Sequence, residues 1–232
     1  MFLLDDDENS GHDQYFRRAA KKLQLGLAGS ASWNGHAANY RLLADRIHRS
    51  GADGVFLGGY QFSNGARLIR DLRAALGPDV ALIAPHAFLP LPALIHAAGP
   101  SANGLYVSLA GAPDPALGPN GKAFLKAFAR TYRRPTPWYT ATYAAAAADL
   151  LLDAIARSDG SRASINYQLR TTAEHRGILG PIRFDKNGDL TAGAVTIFRI
   201  GTARGHPIPN YPWLRGAYVD RVITARGSLV ER

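Results

Sequence analysis

Four acids in a row, Asp5, Asp6, Asp7 and Glu8, follow the apolar run Phe2-Leu3-Leu4, and carboxylates massed at the end of a strand suit a hard divalent cation such as Mg2+. A second acidic set, Asp185, Asn187 and Asp189, has the alternate spacing that opens a calcium loop. Its twelfth position is Thr196, where a bidentate glutamate is required, so these residues read as a turn. Two further positions carry binding chemistry. Tyr60 ends Gly58-Gly59-Tyr60 and offers a ring face with a hydroxyl at its tip, and His86 follows Pro85 with an imidazole that titrates near neutral pH. Taken alone, Tyr60 equally caps a strand end, and His86 equally is a hydrogen-bonded loop histidine. Catalytic arrangements are missing. The seven histidines show no His-Glu-x-x-His spacing, no serine sits in Gly-x-Ser-x-Gly, and no phosphate-cradling glycine loop occurs. With no cysteine there is no disulfide, thiolate metal site or cysteine nucleophile. No nucleophile is paired with a base and no cofactor is implied, so the chain reads as a binder and not as an enzyme.

The elements that must position these residues are legible from hydrophobic spacing. Met1 to Leu4 reads as a buried strand, and HDQYFRRAAKKLQL as a helix with Tyr15, Phe16, Ala19, Ala20 and Leu23 on one side. LGLAGSASW is the next strand, then Asn39 to Ser50 a helix with Tyr40, Leu42, Leu43 and Ile47 inward. GVFLGGY is a strand, Ala66 to Leu76 a helix, VALIAP a strand, Pro92 to Ala98 a short helix and GLYVSL a strand. This alternation predicts an α/β fold with a parallel open sheet and helices on both faces. In such sheets ligands sit beyond the C-terminal strand ends, which directs attention to the loops DDDENSG, GGYQFS and APHAFLP.

After Leu109 the composition changes to AGAPDPALGPNG, a crossing segment rich in Gly and Pro. Helices are expected at Lys122 to Tyr132, at Tyr139 to Arg157 with Leu150, Leu151 and Ile155 on its apolar side, and in short form at Ile165 to Leu169. Ile182-Arg183-Phe184 and Ala194 to Ile200 read as the two strands of a hairpin closed by Asp185 to Asp189, and Tyr218 to Thr224 as a last strand.

Bulk properties narrow the class. A length of 232 residues with 47% hydrophobic and 19% charged composition suffices for one or two packed domains. The net charge of +9 comes from scattered arginines and lysines on helix faces, without the interleaved aromatics of a nucleic-acid platform, so no nucleic-acid partner is expected. No run approaches a membrane span, and the acids after Met1-Phe2-Leu3-Leu4 are the opposite of a signal peptide's basic start.

The stretch GILGPIRFDKNGDL, Gly177 to Leu190, joins a Gly-x-x-Gly step, an apolar strand, Phe-Asp and a Gly-Asp turn. It resembles the C-terminal region of the type I periplasmic binding proteins of the branched-chain amino acid (Leu/Ile/Val) class. FLLDDDENSG is similar to the opening of that family's second lobe, GADGVFLGGY to its third strand, and TATYAAAAADLLLDAIARS to the helix returning to the first lobe. The resemblance covers the family's last two-thirds. It implies residues 1–109 as the second lobe, 110–193 as a returning part of the first lobe and 194–232 as a crossing strand and tail. It also implies a fragment whose missing first lobe would leave apolar surface bare and favour self-association.

What the resemblance implies for function is an extracytoplasmic, hinge-closing receptor for a small molecule such as an amino acid or amide, delivering it to an ABC transporter permease. A sensory module of a larger signalling protein is the alternative. The implied ligand contacts are Tyr60, His86, Ser10, standing where an aromatic is usual, and Trp138. His86 replaces the glutamate that meets a ligand ammonium, and an imidazole does not substitute for a carboxylate there, so an amide, an acid or an aromatic compound comes into range. The leading acids also resemble the Mg2+ pocket of response-regulator receivers, but the phospho-accepting aspartate expected after Val55-Phe56-Leu57 is replaced by Gly58-Gly59-Tyr60.

Overall fold

The computed structural model describes residues 1–6, 11–113, 116–133, 139–201 and 211–226. The chain divides into two compact units, one of Met1–Ala110 with Val195–Ile223 and the other centred on Gly111–Ala194.

The first unit alternates strand and helix: β1 (Phe2–Asp6), α1 (His12–Lys22), β2 (Gly29–Trp33), α2 (Arg41–Arg49), β3 (Gly54–Leu57), α3 (Gly65–Leu76), β4 (Ala81–Ala84), α4 (Leu91–Ala98) and β5 (Tyr106–Ala110). Later segments add β8 (Ala192–Ile200) and β9 (Ala217–Arg226), giving the seven-stranded order β2-β1-β3-β4-β5-β8-β9. The first five strands in that order pair in parallel, each joined to the next in sequence by a helix, as parallel neighbours require. β8 runs antiparallel to β5, from Tyr106↔Arg199 to Ala110↔Val195, so the sheet is mostly parallel.

Strands buried on both faces read as continuous apolar runs, and β1 and β3 are buried at every residue. Leu3, Leu4, Val55, Leu57, Leu82 and Val107 form the strand side of the core, and Ile47, Leu68, Ile69, Leu72 and Leu94 close it from the helices. Two inward assignments from the sequence are corrected. Leu42 is 85% exposed, because the buried stripe of α2 is Tyr40, Ala44 and Ile47, and Leu42 lies off that face. On α1 the inward residues are Ala20 and Phe16, which stacks on Phe56 at 4.4 Å, while Tyr15 lies off that stripe and Leu23 past the helix end.

The second unit holds α5 (Pro119–Tyr132), α6 (Tyr139–Ala156), α7 (Arg162–Thr171), β6 (His175–Gly177) and β7 (Gly180–Ile182). The buried stripe of α6 is Ala146, Leu150 and Ala154, small residues at helical spacing that let neighbouring elements approach closely. Leu151, Leu152 and Ile155 are exposed, so the apolar side expected for this helix is only partly covered.

The expected hairpin is also redrawn. β7 pairs with β6, in the register His175↔Ile182 to Gly177↔Gly180, and the return strand β8 joins β5 instead. Burial of Thr196, Phe198 and Ile200 in the large sheet outweighs what a two-stranded ribbon offers. One bridge, Phe184↔Leu190, remains of the expected pairing. The turn itself is as read. The Asp185 carboxylate accepts the backbone N–H of Asn187 at 2.8 Å and of Asp189 at 2.9 Å, which occupies it within its own loop.

Candidate functional site

At the C-terminal ends of β1, β3 and β4 the chain brings four rings together. Gly58 continues the register of β3, its N–H bonding to the Leu4 carbonyl at 2.7 Å. A Cβ on Gly58 would stand 2.6 Å from that same oxygen, and one on Gly59 would stand 2.5 Å from both the Asp6 carboxyl and Cη2 of Trp33. Both glycines are therefore demanded by close approach. They let the backbone run flush against β1 before it lifts Tyr60 clear.

Asp6 anchors that lift. It is only 2% exposed, and its Oδ2 accepts the Tyr60 N–H and the Ser63 hydroxyl, each at 3.0 Å. Trp33 ends β2 and donates its indole N–H to the Ser63 carbonyl at 2.7 Å. Both ends of the loop carrying Tyr60, Gln61 and Phe62 are thus tied to strand termini, and the Gln61 N–H bonds to the Ala87 carbonyl at 3.2 Å, linking it to the loop after β4. The acids of the leading run therefore do not all lie in the loop DDDENSG expected after the first strand. Asp5 and Asp6 belong to β1 and are buried, while Asp7 and Glu8 lie outside the described residues.

His12 opens α1 and sits at the middle of the cluster. Its Nδ1 donates to the Gly58 carbonyl, which can only accept, at 2.9 Å. The His12 ring meets Tyr60 edge-on at 5.9 Å and His86 edge-on at 6.1 Å between centroids. Tyr60 stacks on Phe62 at 4.8 Å with 17° between planes, and Phe62 is 70% exposed. His86 begins a 3-10 turn, His86–Phe88, pinned by the buried Phe88 beneath. Packing against that turn and the neighbouring His12 both oppose a positive charge on His86, holding it below the ordinary histidine value of 6.5.

Of the residues nominated from sequence, Tyr60 and His86 therefore both border His12. Ser10 and Trp138 lie outside the described residues. Sequence reasoning missed His12, Phe62 and the anchor formed by Asp6, Ser63 and Trp33. His12 was legible in principle, as the first helical residue after a strand-end loop already flagged. Among the described residues no group of three or more histidines and carboxylates is placed to hold a metal, and Asp6, which a Mg2+ site would need, is engaged by Tyr60 and Ser63.

The family model described as periplasmic binding protein matches residues 1–205. The chain belongs to that family. No curated protein matches the chain. Among solved structures, a leucine binding protein from Thermotoga maritima aligns with a TM-score of 0.72 at 20% identity, covering 96% of this chain and 60% of its own. A branched-chain amino acid transporter substrate binding protein from Streptococcus pneumoniae, in complex with isoleucine, aligns at 0.66 and 16%, covering 97% and 60%. A solute binding protein of an ABC transporter from R. palustris, in complex with benzoate, aligns at 0.63 and 15%, covering 95% and 57%. These likenesses show the shared fold, that of the type I periplasmic binding proteins. The chain spans 57% to 60% of the length of these three solved relatives. Members of the family in this group are substrate-binding proteins, not enzymes.

Proposed function

We propose that this chain is a solute-receptor module of ABC-type uptake, and that the ring shelf of His12, Tyr60, Phe62 and His86 is the face of its first unit that meets a small organic molecule. The observation that carries this reading is the convergence of four rings at the C-terminal strand ends of a parallel sheet, where ligands of α/β folds bind. A tyrosine stacked on an exposed phenylalanine supplies apolar contact, and the imidazoles and phenol supply hydrogen bonds.

The shelf, among the described residues, presents no carboxylate to a ligand ammonium: Asp5 and Asp6 are buried, and histidine stands at position 86. A ring-bearing acid or an amide fits such a face better than a zwitterionic amino acid. Isoleucine in the Streptococcus relative and benzoate in the R. palustris relative exemplify the two kinds of ligand so contrasted, the zwitterion and the ring-bearing acid. Ser10 and Trp138 stay in the proposal as contacts implied by family resemblance. So do a permease as docking partner, an extracytoplasmic location, the absence of catalytic turnover, and the assignment of 1–109 and 110–193 to different lobes.

The test is isothermal titration calorimetry of the chain with L-isoleucine and with benzoate, repeated on Tyr60→Ala. Loss of one large ring contact is expected to weaken binding about tenfold or more, the equivalent of ~1.4 kcal/mol. Unchanged affinity in Tyr60→Ala would remove the shelf from the site.

A further inference from the structure

We infer that Arg73 and Arg199, which converge at Gly104 in the first unit, form a second binding site, one that takes an oxyanion, a phosphate or carboxylate group, at the end of the sheet opposite the ring shelf. It goes beyond the receptor reading and does not depend on it.

The topology brings the two arginines together. Arg73 is on the last turn of α3, Arg199 is next to last in β8, and Gly104 lies just before β5. Because β8 runs antiparallel to β5, with Arg199 opposite Tyr106, its final residues return to the end where the parallel strands begin. The Gly104 N–H bonds to the Ile200 carbonyl at 2.9 Å and closes that corner. Each guanidinium group turns its Nη2 toward the side of Gly104 where a side chain would be. A Cβ there would stand 3.7 Å from Arg73 Nη2 and 3.8 Å from Arg199 Nη2. With φ at +76°, Gly104 holds a left-handed conformation that other residues rarely adopt, so bare backbone lies beside both nitrogens.

The two arginines are held in different ways. Arg73 Nη1 donates to the carbonyls of Gly77, Pro78 and Val80 at 3.2, 3.2 and 2.6 Å, and Nη2 donates to that of Asn103 at 3.3 Å. Those four carbonyls fix the group where α3 ends, neutralise none of its charge, and leave Nη2 one N–H to spare. Arg199 makes no hydrogen bond among the described residues. Its guanidinium lies over the Tyr106 ring at 5.1 Å, a contact that steadies it through the ring face and uses none of its N–H donors.

Among the described residues no carboxylate offsets the pair. Asp220 is engaged by Arg221 at 2.8 Å and Asp53 by the Met1 amine at 3.3 Å, and Asp79, on the loop that Arg73 closes, is exposed and in no ion pair. Two like charges are therefore held side by side, and the repulsion shows at Arg73, where burial and then Arg199 lower the pKa below the ordinary arginine value. Closing a helix end gains nothing from a second cation beside it. An oxyanion gains from both, since each guanidinium offers it charge-assisted hydrogen bonds of about 2.8 Å and the mutual repulsion becomes a shared attraction.

The experiment is NMR of the chain titrated with inorganic phosphate and, separately, with acetate, at an ionic strength held constant with chloride. It follows the Gly104 amide and the arginine side-chain N–H resonances, and thermal melts are recorded in each anion. Both measurements are repeated on Arg199→Gln, chosen because Arg199 makes no hydrogen bond that holds the fold, and on Arg199→Lys, which keeps the charge and loses the planar fork. The expected result is saturable shifts at Gly104, Arg73 and Arg199 with at least one probe, and a melting temperature higher in that anion than in chloride. Affinity should fall about tenfold or more in Arg199→Gln, with Arg199→Lys between the two. Saturation by phosphate only assigns the site to phosphate groups, and saturation by acetate only assigns it to carboxylates. Shifts that do not saturate, that spread evenly over the exposed arginines, or that keep the same affinity in Arg199→Gln overturn the site and reduce it to ionic attraction toward a chain of net charge +9.

Discussion

At the scale of single residues, the site is built by what glycine lacks and what aspartate holds. Gly58 and Gly59 allow a backbone path that any Cβ would block against Leu4, Asp6 and Trp33, and the buried Asp6 carboxylate then fixes where Tyr60 emerges. A buried carboxylate bound by an N–H and a hydroxyl is a costly arrangement to leave half-made, which is why it works as a positional anchor. His86 gives this scale its pH signature. Its folded-state pKa lies below 6.5, so as pH falls through that value the unfolded chain takes up the proton first and the folded state loses stability, until pH reaches the lowered value. Thermal melts of His86→Gln should therefore lose less stability than the wild type between pH 7.5 and pH 5, with the two proteins alike above pH 7.5. Parallel acid sensitivity in both would show that the packing around His86 exerts no such effect.

Among the elements, the strand-helix alternation of residues 1–110 was readable because each strand is a short apolar run closed by glycine or proline and each helix shows a spaced stripe. What spacing alone did not deliver was the partner of each strand. β8 was assigned to a local hairpin because the turn at Asp185 to Asp189 is real, but its apolar face finds a larger surface on β5. Long-range choices of this kind depend on total burial, which no short window contains. The hairpin that does form, β6–β7, is fastened to α6 by His175, whose Nε2 lies 3.1 Å from Asp149 Oδ2 and whose Nδ1 lies 3.8 Å from Asp153. Gly177 makes room for that bridge, since a Cβ there would stand 2.6 Å from His175 Nε2 and 2.8 Å from Asp149 Oδ2. Gly177→Ala is expected to destabilise the second unit by about 1–3 kcal/mol and to speed amide exchange across residues 175–182. Exchange confined to wild-type rates would show that the His175 bridge does not hold the hairpin.

For the molecule as a whole, family membership fixes the fold, while the ligand has to be argued from the shelf. Tyr60 and His86 were visible from sequence because strand-end loops could be located without coordinates. The roles of Phe62 and Asp6 were not, since they come from contacts between β1 and the β3 loop, and His12, though it follows a flagged loop, is singled out only by its contacts with Tyr60 and His86. The family resemblance implies a glutamate where His86 stands, and the proposed preference for ligands without an ammonium group follows from that departure. The most direct test of the account is residue-resolved NMR of the chain titrated with benzoate, followed through the aromatic and histidine side-chain resonances. The account predicts saturable shifts at His12, Tyr60, Phe62 and His86 together, with the second unit's His175 unmoved. Saturable shifts that spare those four rings would contradict it.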